Sequence, residues 1–344
     1  MSIIQLHSIP QTKQTTSSPP LHNQTMAPSI LIAGATGNTG RNVVKTLSQL
    51  LATTDTLPHH RILALTRSPQ SAIAQQLAQL PGVEVLEQNW VELTPSWLQE
   101  HGVDRAFLAS HNQPHQFAEE SSFHVAALRA GVRYVVRIST TAANVRPDCD
   151  AHYARAHWAI EDLLRAPEFH GLQWTSLQPN IFAGLWLASA AEFIQQARRN
   201  GKQGTLRLMA SETAPVGIVD PEEVGALAAH LLVQADPAVH NRARYVVNGP
   251  ADVSGREIVR MVGERIGAPV ERVCYEDLSG LEAYLEREFM GAPQSSRNVI
   301  GSVKHALRTA WEGKCAASTT SREVLEIAAP TRTPVQTLDD LLRE

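Results

Sequence analysis

Residues 29–40 read Ser-Ile-Leu-Ile-Ala-Gly-Ala-Thr-Gly-Asn-Thr-Gly, and the glycines of this stretch, Gly34, Gly37 and Gly40, lie three residues apart. The residues before the first glycine are mostly apolar or β-branched, as in a short buried strand. After the last glycine, apolar residues recur at the spacing of an amphipathic helix, namely Val43, Val44, Leu47, Leu50 and Leu51. The stretch therefore predicts a strand, a tight turn and the start of a helix.

Each glycine of this turn has its own task in a dinucleotide-binding site. Gly34 would allow the sharp turn, Gly37 would let the backbone approach a pyrophosphate, and Gly40 would let the helix pack against the strand. The helix start offers free N–H groups and the positive end of the helix dipole to an anion. We therefore predict that this turn binds a dinucleotide. The other turn residues expected at the dinucleotide are Thr36, Asn38 and Thr39.

The composition limits the classes of protein to consider. The chain has 344 residues, of which 43% are hydrophobic, so it is long enough for one large domain or two. Its formal net charge is −4 and its basic residues are scattered, which argues against a nucleic-acid partner. Cys149, Cys274 and Cys315 lie far apart, as is typical of a reducing compartment without disulfides. The most apolar window, residues 182–194, is too short to span a membrane, and we predict a cytoplasmic protein.

The order of the elements predicts the fold class. Residues 1–28 are rich in Ser, Thr, Pro and Gln and lack a signal-peptide pattern, so we predict a disordered leader. From residue 29 to about residue 180, strands and helices alternate. Six strands with helical crossovers imply an α/β fold with a doubly wound parallel (Rossmann) sheet. The strands predicted after the first are 61–66, 83–86, 105–110, 132–138 and 174–178. Between them we also predict a helix capped by Thr94 and a helix at 122–130.

The alternation is looser after Pro179. The elements predicted in this half are a strand at 244–248, helices capped by Asp220 and Ser254, and helices at 277–290, 299–311 and 333–342. We predict a dinucleotide-binding domain at residues 29–182. A smaller carboxyl-terminal α/β part at residues 183–344 is expected to form the wall of a substrate cleft and to be interwoven with the first domain.

The ends of the predicted strands indicate which dinucleotide binds. Selection of NAD usually needs an acidic residue at the end of the second strand, and this chain has Arg67 there instead. Arg67 could pair with a 2′-phosphate, with Arg41 as a second candidate, so NADP(H) is preferred over NAD. The alternative is that both arginines are solvated surface residues. Asn89 is expected near the adenine, and Ser110 and His111 near the ribose.

Several longer stretches resemble a known family. Gly34–Gly40, Arg67, residues 132–139 (Val-Arg-Tyr-Val-Val-Arg-Ile-Ser) and residues 177–180 (Leu-Gln-Pro-Asn) are similar to the NmrA-like branch of the atypical, extended short-chain dehydrogenases. Residues 215–224, 247–250 and 320–325 are similar to fungal members of that branch. The resemblance covers the chain from residue 28 to its end. It implies a nicotinamide-binding fold shared by NADPH-dependent reductases, tailoring enzymes and regulators that bind NADP without turnover.

The resemblance also implies catalytic positions. Extended dehydrogenases place a serine at the end of the fifth strand and a Tyr-x-x-x-Lys pair on the next helix. Here Ser139 follows that strand, and Tyr153 and His157 lie four residues apart on one helical face. We predict Tyr153 as the proton donor and His157 as a hydrogen-bond partner of the cofactor, although both residues suit ordinary packing. Histidine in the place of lysine would support a tyrosinate poorly, because it is charged only part of the time near neutral pH.

The rest of the predicted site follows the sixth strand. The resemblance places Pro179 and Asn180 near the nicotinamide amide. Thr140, Phe182 and Trp186 are expected to line the substrate pocket, with ordinary core as the alternative for the two aromatic residues. His111 and His115 have the spacing of metal ligands, but they lie in a loop broken by proline with no third ligand nearby, so no metal is predicted.

These observations leave three functions open. The first is an NADP(H)-dependent oxidoreductase acting on a small imine, enone, quinone or carbonyl, as a tailoring step in secondary metabolism such as alkaloid biosynthesis. The second is a non-catalytic NADP-binding redox sensor or regulator that binds a protein partner. The third is a non-redox cyclase or isomerase on the same scaffold. A homodimer is compatible with all three.

Overall fold

The strands of the protein alternate with helices through the first half of the chain. The computed structural model describes residues 27–289 and 297–343, so the predicted leader up to residue 26 lies outside the described residues. The strands are β1 (Ser29–Ala33), β2 (Arg61–Thr66), β3 (Val83–Glu87), β4 (Val103–Leu108), β5 (Tyr134–Ile138), β6 (Gln173–Pro179), β7 (Leu206–Arg207), β8 (Ala243–Val247) and β9 (Val273–Cys274).

The helices cover both faces of the sheet and build the second half. They are α1 (Gly40–Thr53), α2 (Ala72–Leu77), α3 (Pro95–Glu100), α4 (Gln116–Ala130), α5 (His152–Leu163), α6 (Ala183–Asn200), α7 (Pro221–Leu232), α8 (Gly255–Ile266), α9 (Ser279–Phe289), α10 (Arg297–Gly301), α11 (Arg308–Trp311), α12 (Arg322–Ala328) and α13 (Pro334–Leu341). No helix in the described ranges is long and apolar enough to cross a membrane.

The main sheet is parallel throughout and has the order β3-β2-β1-β4-β5-β6-β8. This arrangement confirms the predicted doubly wound fold. Strand order reverses between β1 and β4, and the carboxyl ends of the strands at such a switch point leave a crevice for a ligand. The seventh strand, β8, comes from the second half of the chain and pairs with β6. The main sheet therefore crosses the boundary predicted at residue 182.

Buried apolar residues form a core on each face of the sheet and a third core in the carboxyl-terminal part. The third core is built around α6, which is the longest helix in the part of the chain that the structure describes. The sequence pattern shows only an apolar window there, because alanines make up much of the buried face of α6. Helix α7 packs on α1 so closely that a Cβ on Gly225 would lie 2.6 Å from the Thr39 carbonyl oxygen.

The local helix signals are accurate where capping residues mark them. Thr94 accepts a hydrogen bond from the Trp97 N–H, and Asp220 accepts one from the Glu222 N–H. Two helices differ from expectation. The helix predicted at 299–311 is divided into α10, a 3-10 segment (Ser302–Leu307) and α11. Helix α4 begins at Gln116, six residues before the apolar pattern starts, because its first turns bury polar side chains.

Candidate functional site

A cavity of about 460 Å³ opens where the carboxyl ends of β1, β4, β5 and β6 meet. One side consists of the glycine turn and the start of α1, and the opposite side consists of the segments after β5 and β6. The far end is apolar. Its lining residues are Phe182, Leu185, Met209, Leu281, Val303, Ala306 and Leu307.

A second cavity, of about 450 Å³, lies on the other side of the glycine turn. It shares Gly34, Gly37, Ala109 and Ser110 with the first cavity, so the two form one cleft. Its wall includes the ends of β2 and β3 and the loop after β4. The predicted residues that line it are Thr36, Arg67, Asn89 and His111. The cleft thus runs from an arginine at one end to an apolar pocket at the other.

The glycine turn is as tight as its spacing predicts. Gly34 has a φ of +83°, which L side chains rarely adopt. A Cβ on Gly40 would lie 2.0 Å from the Gly34 carbonyl oxygen, so helix α1 can pack this close to the turn only with glycine there. A Cβ on Gly37 would meet only that oxygen, at 3.3 Å, and Gly37 lines both cavities. Gly40 therefore serves packing, whereas Gly37 borders the cleft.

Tyr153 and His157 both line the first cavity, as their spacing on α5 predicts. Their rings meet edge to face, with centroids 6.2 Å apart. The Tyr153 hydroxyl accepts a hydrogen bond from Thr140 Oγ1 at 3.3 Å, and burial raises the pKa of Tyr153. No Lys or Arg is present among the described residues that line this cavity. Tyr153 is therefore a protonated phenol rather than a tyrosinate near neutral pH.

His157 is held neutral by its surroundings. Its Nδ1 lies 2.8 Å from Arg137 Nη2, and because a guanidinium only donates, Nδ1 must accept. Burial and the Arg137 charge lower the pKa of His157 to about 3. The proton of the neutral ring is then on Nε2, which lies 3.3 Å from Asn112 Oδ1 at the cavity wall. His157 thus presents an N–H donor to the cavity near neutral pH.

Ser139 provides a polar group without a partner. Its side chain is buried and lines the cavity, and its Oγ makes no hydrogen bond among the described residues. Leaving a buried hydroxyl unpaired is costly, so a polar ligand atom in the cavity would satisfy it. Tyr153, His157 and Ser139, at the inner end of the cleft, can together offer hydrogen bonds to a ligand without contributing a charge.

Comparison with known families and structures agrees with this geometry. The model of the NmrA-like family matches residues 26–303. The chain belongs to the NmrA-like family. This membership confirms the family resemblance of the glycine turn and of the strand-end segments. A search of curated proteins finds no match.

Solved structures of NmrA-like folds superimpose over nearly the whole chain. The NADPH complex of the Escherichia coli NADPH-dependent quinone oxidoreductase QOR2 is 22% identical, covers 91% of this chain and 99% of its own, and has a TM-score of 0.67. The Citrobacter sp. triphenylmethane reductase complexed with NADP(H) is 21% identical, with coverages of 91% and 100% and a TM-score of 0.62. NmrA, a negative transcriptional regulator in complex with NAD, is 14% identical, with coverages of 93% and 96% and a TM-score of 0.65. At these identities the similarity shows the shared fold.

The cleft of this NmrA-like protein brings most of the predicted site residues together. In the first cavity these are Gly34, Gly37, Asn38, Thr39, Gly40, Ser110, Ser139, Thr140, Tyr153, His157, Pro179, Asn180 and Phe182. Asn180 also has a structural task. Its Nδ2 lies 3.0 Å from the Gly217 carbonyl oxygen and 2.8 Å from that of Cys315, so it ties two distant loops to the cavity wall.

Two predicted residues lie elsewhere. Arg41 lines neither cavity, and its Nη2 is 3.7 Å from Glu222 Oε1 on α7, so a carboxylate takes the place of the expected phosphate. Trp186 is 1% exposed and packs in the carboxyl-terminal core. Its neighbour Leu185 lines the cavity instead, because one residue along a helix turns the side chain by about 100°.

The histidine pair beside the second cavity has a third neighbour. Because α4 begins early, Glu119 reaches both rings, with Oε2 2.5 Å from His111 Nε2 and Oε1 3.4 Å from His115 Nε2. The expectation that no third ligand lies near the pair is therefore wrong. The Gln113 N–H donates to His111 Nδ1, so the proton of the neutral His111 ring is on Nε2 and points at Glu119. The carboxylate is thus already a hydrogen-bond partner of His111.

The sequence interpretation did not include the polar residues behind the cavity. Asn112 lines it, and Gln116, Glu120 and Arg137 are completely buried next to His157. One signal for them was available. Arg137 interrupts an otherwise apolar strand, and an arginine at such a position is almost never buried unless it is paired.

Proposed function

We propose that this NmrA-like protein is an NADP(H)-dependent reductase of a small apolar substrate. The observation that carries the proposal is the single cleft, with Arg67 at one end and an uncharged pocket containing Tyr153, His157 and Ser139 at the other. A dinucleotide with a 2′-phosphate matches the arginine end, and a substrate matches the apolar end. The glycine turn lies between them, where a pyrophosphate would be bound.

The residues of the cleft fit such a cofactor. Arg67 is exposed and has no ion-pair partner among the described residues, so its guanidinium is free for a phosphate. Gly37 leaves the turn open on its cavity side. The unpartnered Ser139 hydroxyl and the His157 Nε2–H supply polar contacts at the nicotinamide end. Arg41 is not part of this fit, because it is paired with Glu222.

The chemistry follows from the pocket. A bound nicotinamide supplies the hydride, and the protein orients the substrate against it. Leu185, Met209 and Leu307 exclude water from the reacting end. Tyr153 holds a proton on its hydroxyl, because burial raises its pKa, and can pass that proton to a substrate oxygen or nitrogen.

The uncharged lining favours an uncharged planar substrate such as a quinone or an enone, or an imine. An iminium differs in carrying a positive charge, but it needs little proton donation, and this cavity has no lysine or arginine among its described lining residues to repel it. The E. coli quinone oxidoreductase and the Citrobacter triphenylmethane reductase are named for related reductions. We place the reaction among the tailoring steps of secondary metabolism, including alkaloid pathways.

The test combines binding with turnover. NADPH fluorescence should change on titration with the protein, and NADPH absorbance should fall when quinones, enones or imines are added. Tyr153→Phe should lower turnover more than NADPH affinity, because only the proton donor is removed. Absence of NADPH binding would overturn the proposal. Product formation without loss of NADPH would instead indicate a cyclase or isomerase.

A second function is favoured by one observation. His157 is neutral where a dehydrogenase would place a cation, and such a site can bind a nicotinamide cofactor without consuming it. NmrA itself is a negative transcriptional regulator. A redox-sensing regulator would bind NADPH or NADP⁺ and show no turnover with any member of the substrate panel.

A further inference from the structure

A group of charged and polar side chains is completely buried directly behind the cavity. Arg137 Nε lies 2.5 Å from Glu120 Oε1, and Arg137 Nη1 lies 2.9 Å from Ser176 Oγ. Ser176 in turn donates to Glu161 Oε1 at 2.7 Å. Arg137, Glu120 and Ser176 are 0% exposed, and Glu161 is 1% exposed. Burying charges is costly unless each one is paired, so a network of this kind holds one geometry.

The network reaches the cavity at two points. At the first, Arg137 Nη2 donates to His157 Nδ1. At the second, Ser110 Oγ, in the segment after β4, donates to Glu120 Oε2 at 2.7 Å. Gln116 Nε2 lies next to both, at 3.1 Å from Ser110 Oγ, 3.3 Å from His157 Nδ1 and 3.2 Å from His157 Nε2. Two side chains that line the cavity, Ser110 and His157, are therefore tied to one ion pair.

We propose that Arg137 is a positioning residue that fixes His157 as a neutral ring with its Nε2–H toward the cavity. The guanidinium occupies Nδ1 and leaves only Nε2 for the proton. Glu120 neutralises the arginine and sets its orientation through the bond to Nε. The cavity thereby gains a hydrogen-bond donor, polarised by a cation behind it, whose protonation does not change near neutral pH. The role in cofactor binding rests on the proposed function, whereas the protonation state of His157 does not.

Among the described residues, the charges that act on the ring are those of Arg137 and Glu120. The groups facing His157 are Arg137 on β5, Glu120 and Gln116 on α4, Asn112 in the loop before α4, and Tyr153 on α5. Glu120 acts in the opposite direction, since its charge favours a protonated histidine. The charge of Arg137 has the larger effect of the two, and its direct hydrogen bond excludes a proton from Nδ1. Removing Arg137 should therefore let His157 bind a proton at Nδ1, opposite Glu120.

The test measures the imidazole nitrogens directly. In cofactor-free wild-type protein, nitrogen-15 NMR of His157 should show Nε2 protonated and Nδ1 unprotonated, with no titration between about pH 5 and pH 8. Arg137→Gln should introduce a titration of His157 in this range. It should also weaken NADPH binding at pH 7 about tenfold, as expected when the charge-assisted contact between Arg137 and His157 is lost. Arg137→Lys should keep His157 neutral, because the positive charge remains.

The matched control is Arg105→Gln. Arg105 is a completely buried arginine on the neighbouring strand β4, and it donates to the Leu232 and Gln234 carbonyl oxygens, away from the cavity. Its loss should lower stability and leave the His157 spectrum unchanged. Titration of wild-type His157 between about pH 5 and pH 8, or the same His157 change in both glutamine variants, would overturn the proposal. If Arg137→Gln does not fold, the wild-type spectrum decides. Failure of wild-type protein to bind NADPH would reject the proposed function alone.

Discussion

Replacing Gly40 and Gly37 one at a time should separate the folding task of the glycine turn from its binding task. A Cβ at position 40 would lie 2.0 Å from the Gly34 carbonyl oxygen, 2.7 Å from its carbonyl carbon and 3.1 Å from the Ala35 Cα. All three are backbone atoms, so no side-chain rotation relieves the contact. The start of α1 would have to move away from the end of β1 by about 1 Å, since carbon and oxygen rarely approach within about 3 Å.

The size of the effect follows from this displacement. Overpacking in a well-packed region costs about 1–3 kcal/mol, and a clash with rigid backbone belongs at the upper end. We expect Gly40→Ala to lower the free energy of unfolding by about 3 kcal/mol. Gly37→Ala meets one oxygen at 3.3 Å, so its effect on stability should stay below about 1 kcal/mol. Its methyl group would face the cleft and should weaken NADPH binding more than about tenfold, or 1.4 kcal/mol.

Urea unfolding followed by circular dichroism, together with NADPH fluorescence titration, measures both effects. Gly184→Ala is the matched control, because a Cβ there meets no atom within 4 Å. It should leave NADPH binding unchanged and, since Gly184 lies in helix α6, should raise stability by at most about 1 kcal/mol. The reasoning would be refuted if Gly40→Ala unfolded at the wild-type urea concentration. It would also be refuted if Gly37→Ala bound NADPH as tightly as the wild type.

Three further predictions concern the ends of the cleft and its buried histidine. Arg67→Asp should weaken NADPH binding at least about tenfold and favour NADH, and equal affinity for NADPH before and after the change would remove Arg67 from the site. His157 has a folded-state pKa of about 3 against 6.5 when free, so below pH 6.5 the unfolded chain binds a proton that the folded chain does not. From pH 6.5 to pH 5, urea unfolding should show the wild type losing about 1.6 kcal/mol more stability than His157→Gln. Leu185→Ala should raise the substrate KM at near-wild-type stability, whereas Trp186→Ala should lower the free energy of unfolding by about 3–5 kcal/mol. Similar melting curves for the two variants would contradict the assignment of Leu185 to the cavity and of Trp186 to the core.

The parts of the fold that local chemistry determines were predictable from the sequence. Strand β2 has the predicted bounds, Arg61–Thr66, because its apolar run has clear polar limits. The caps at Thr94 and Asp220 were equally readable, since each is a short polar side chain followed by proline. Membership of β8 in the main sheet was not predictable in this way. It depends on pairing with β6, and no pattern within β8 records that partner.

Arg41 and Trp186, the two predicted site residues that do not line the cleft, show the same limit at the scale of one side chain. The position of Arg41 directly after the glycine turn suggests a phosphate ligand, but Glu222 lies opposite it only because α7 packs on α1. Leu185 and Trp186 are both apolar, and their order in the chain does not say which one faces the cavity. That choice is made by the carboxyl-terminal core, in which Trp186 is buried. Long-range packing therefore decided both outcomes.

The buried polar residues around His157 were the hardest to predict, for a physical reason. Methods that read apolar periodicity find helices by their buried hydrophobic face, but the first turns of α4 bury Gln116 and Glu120 instead. Apolar periodicity therefore places the start of α4 too late, and it assigns the side chains nearest the cavity to a loop. The same conflict occurs at Arg137, a charge inside an apolar strand. Disagreement between the local sequence pattern and burial is expected at functional sites. The start of α4 and Arg137 disagree with the pattern in this way, and both lie beside the same wall of the cleft.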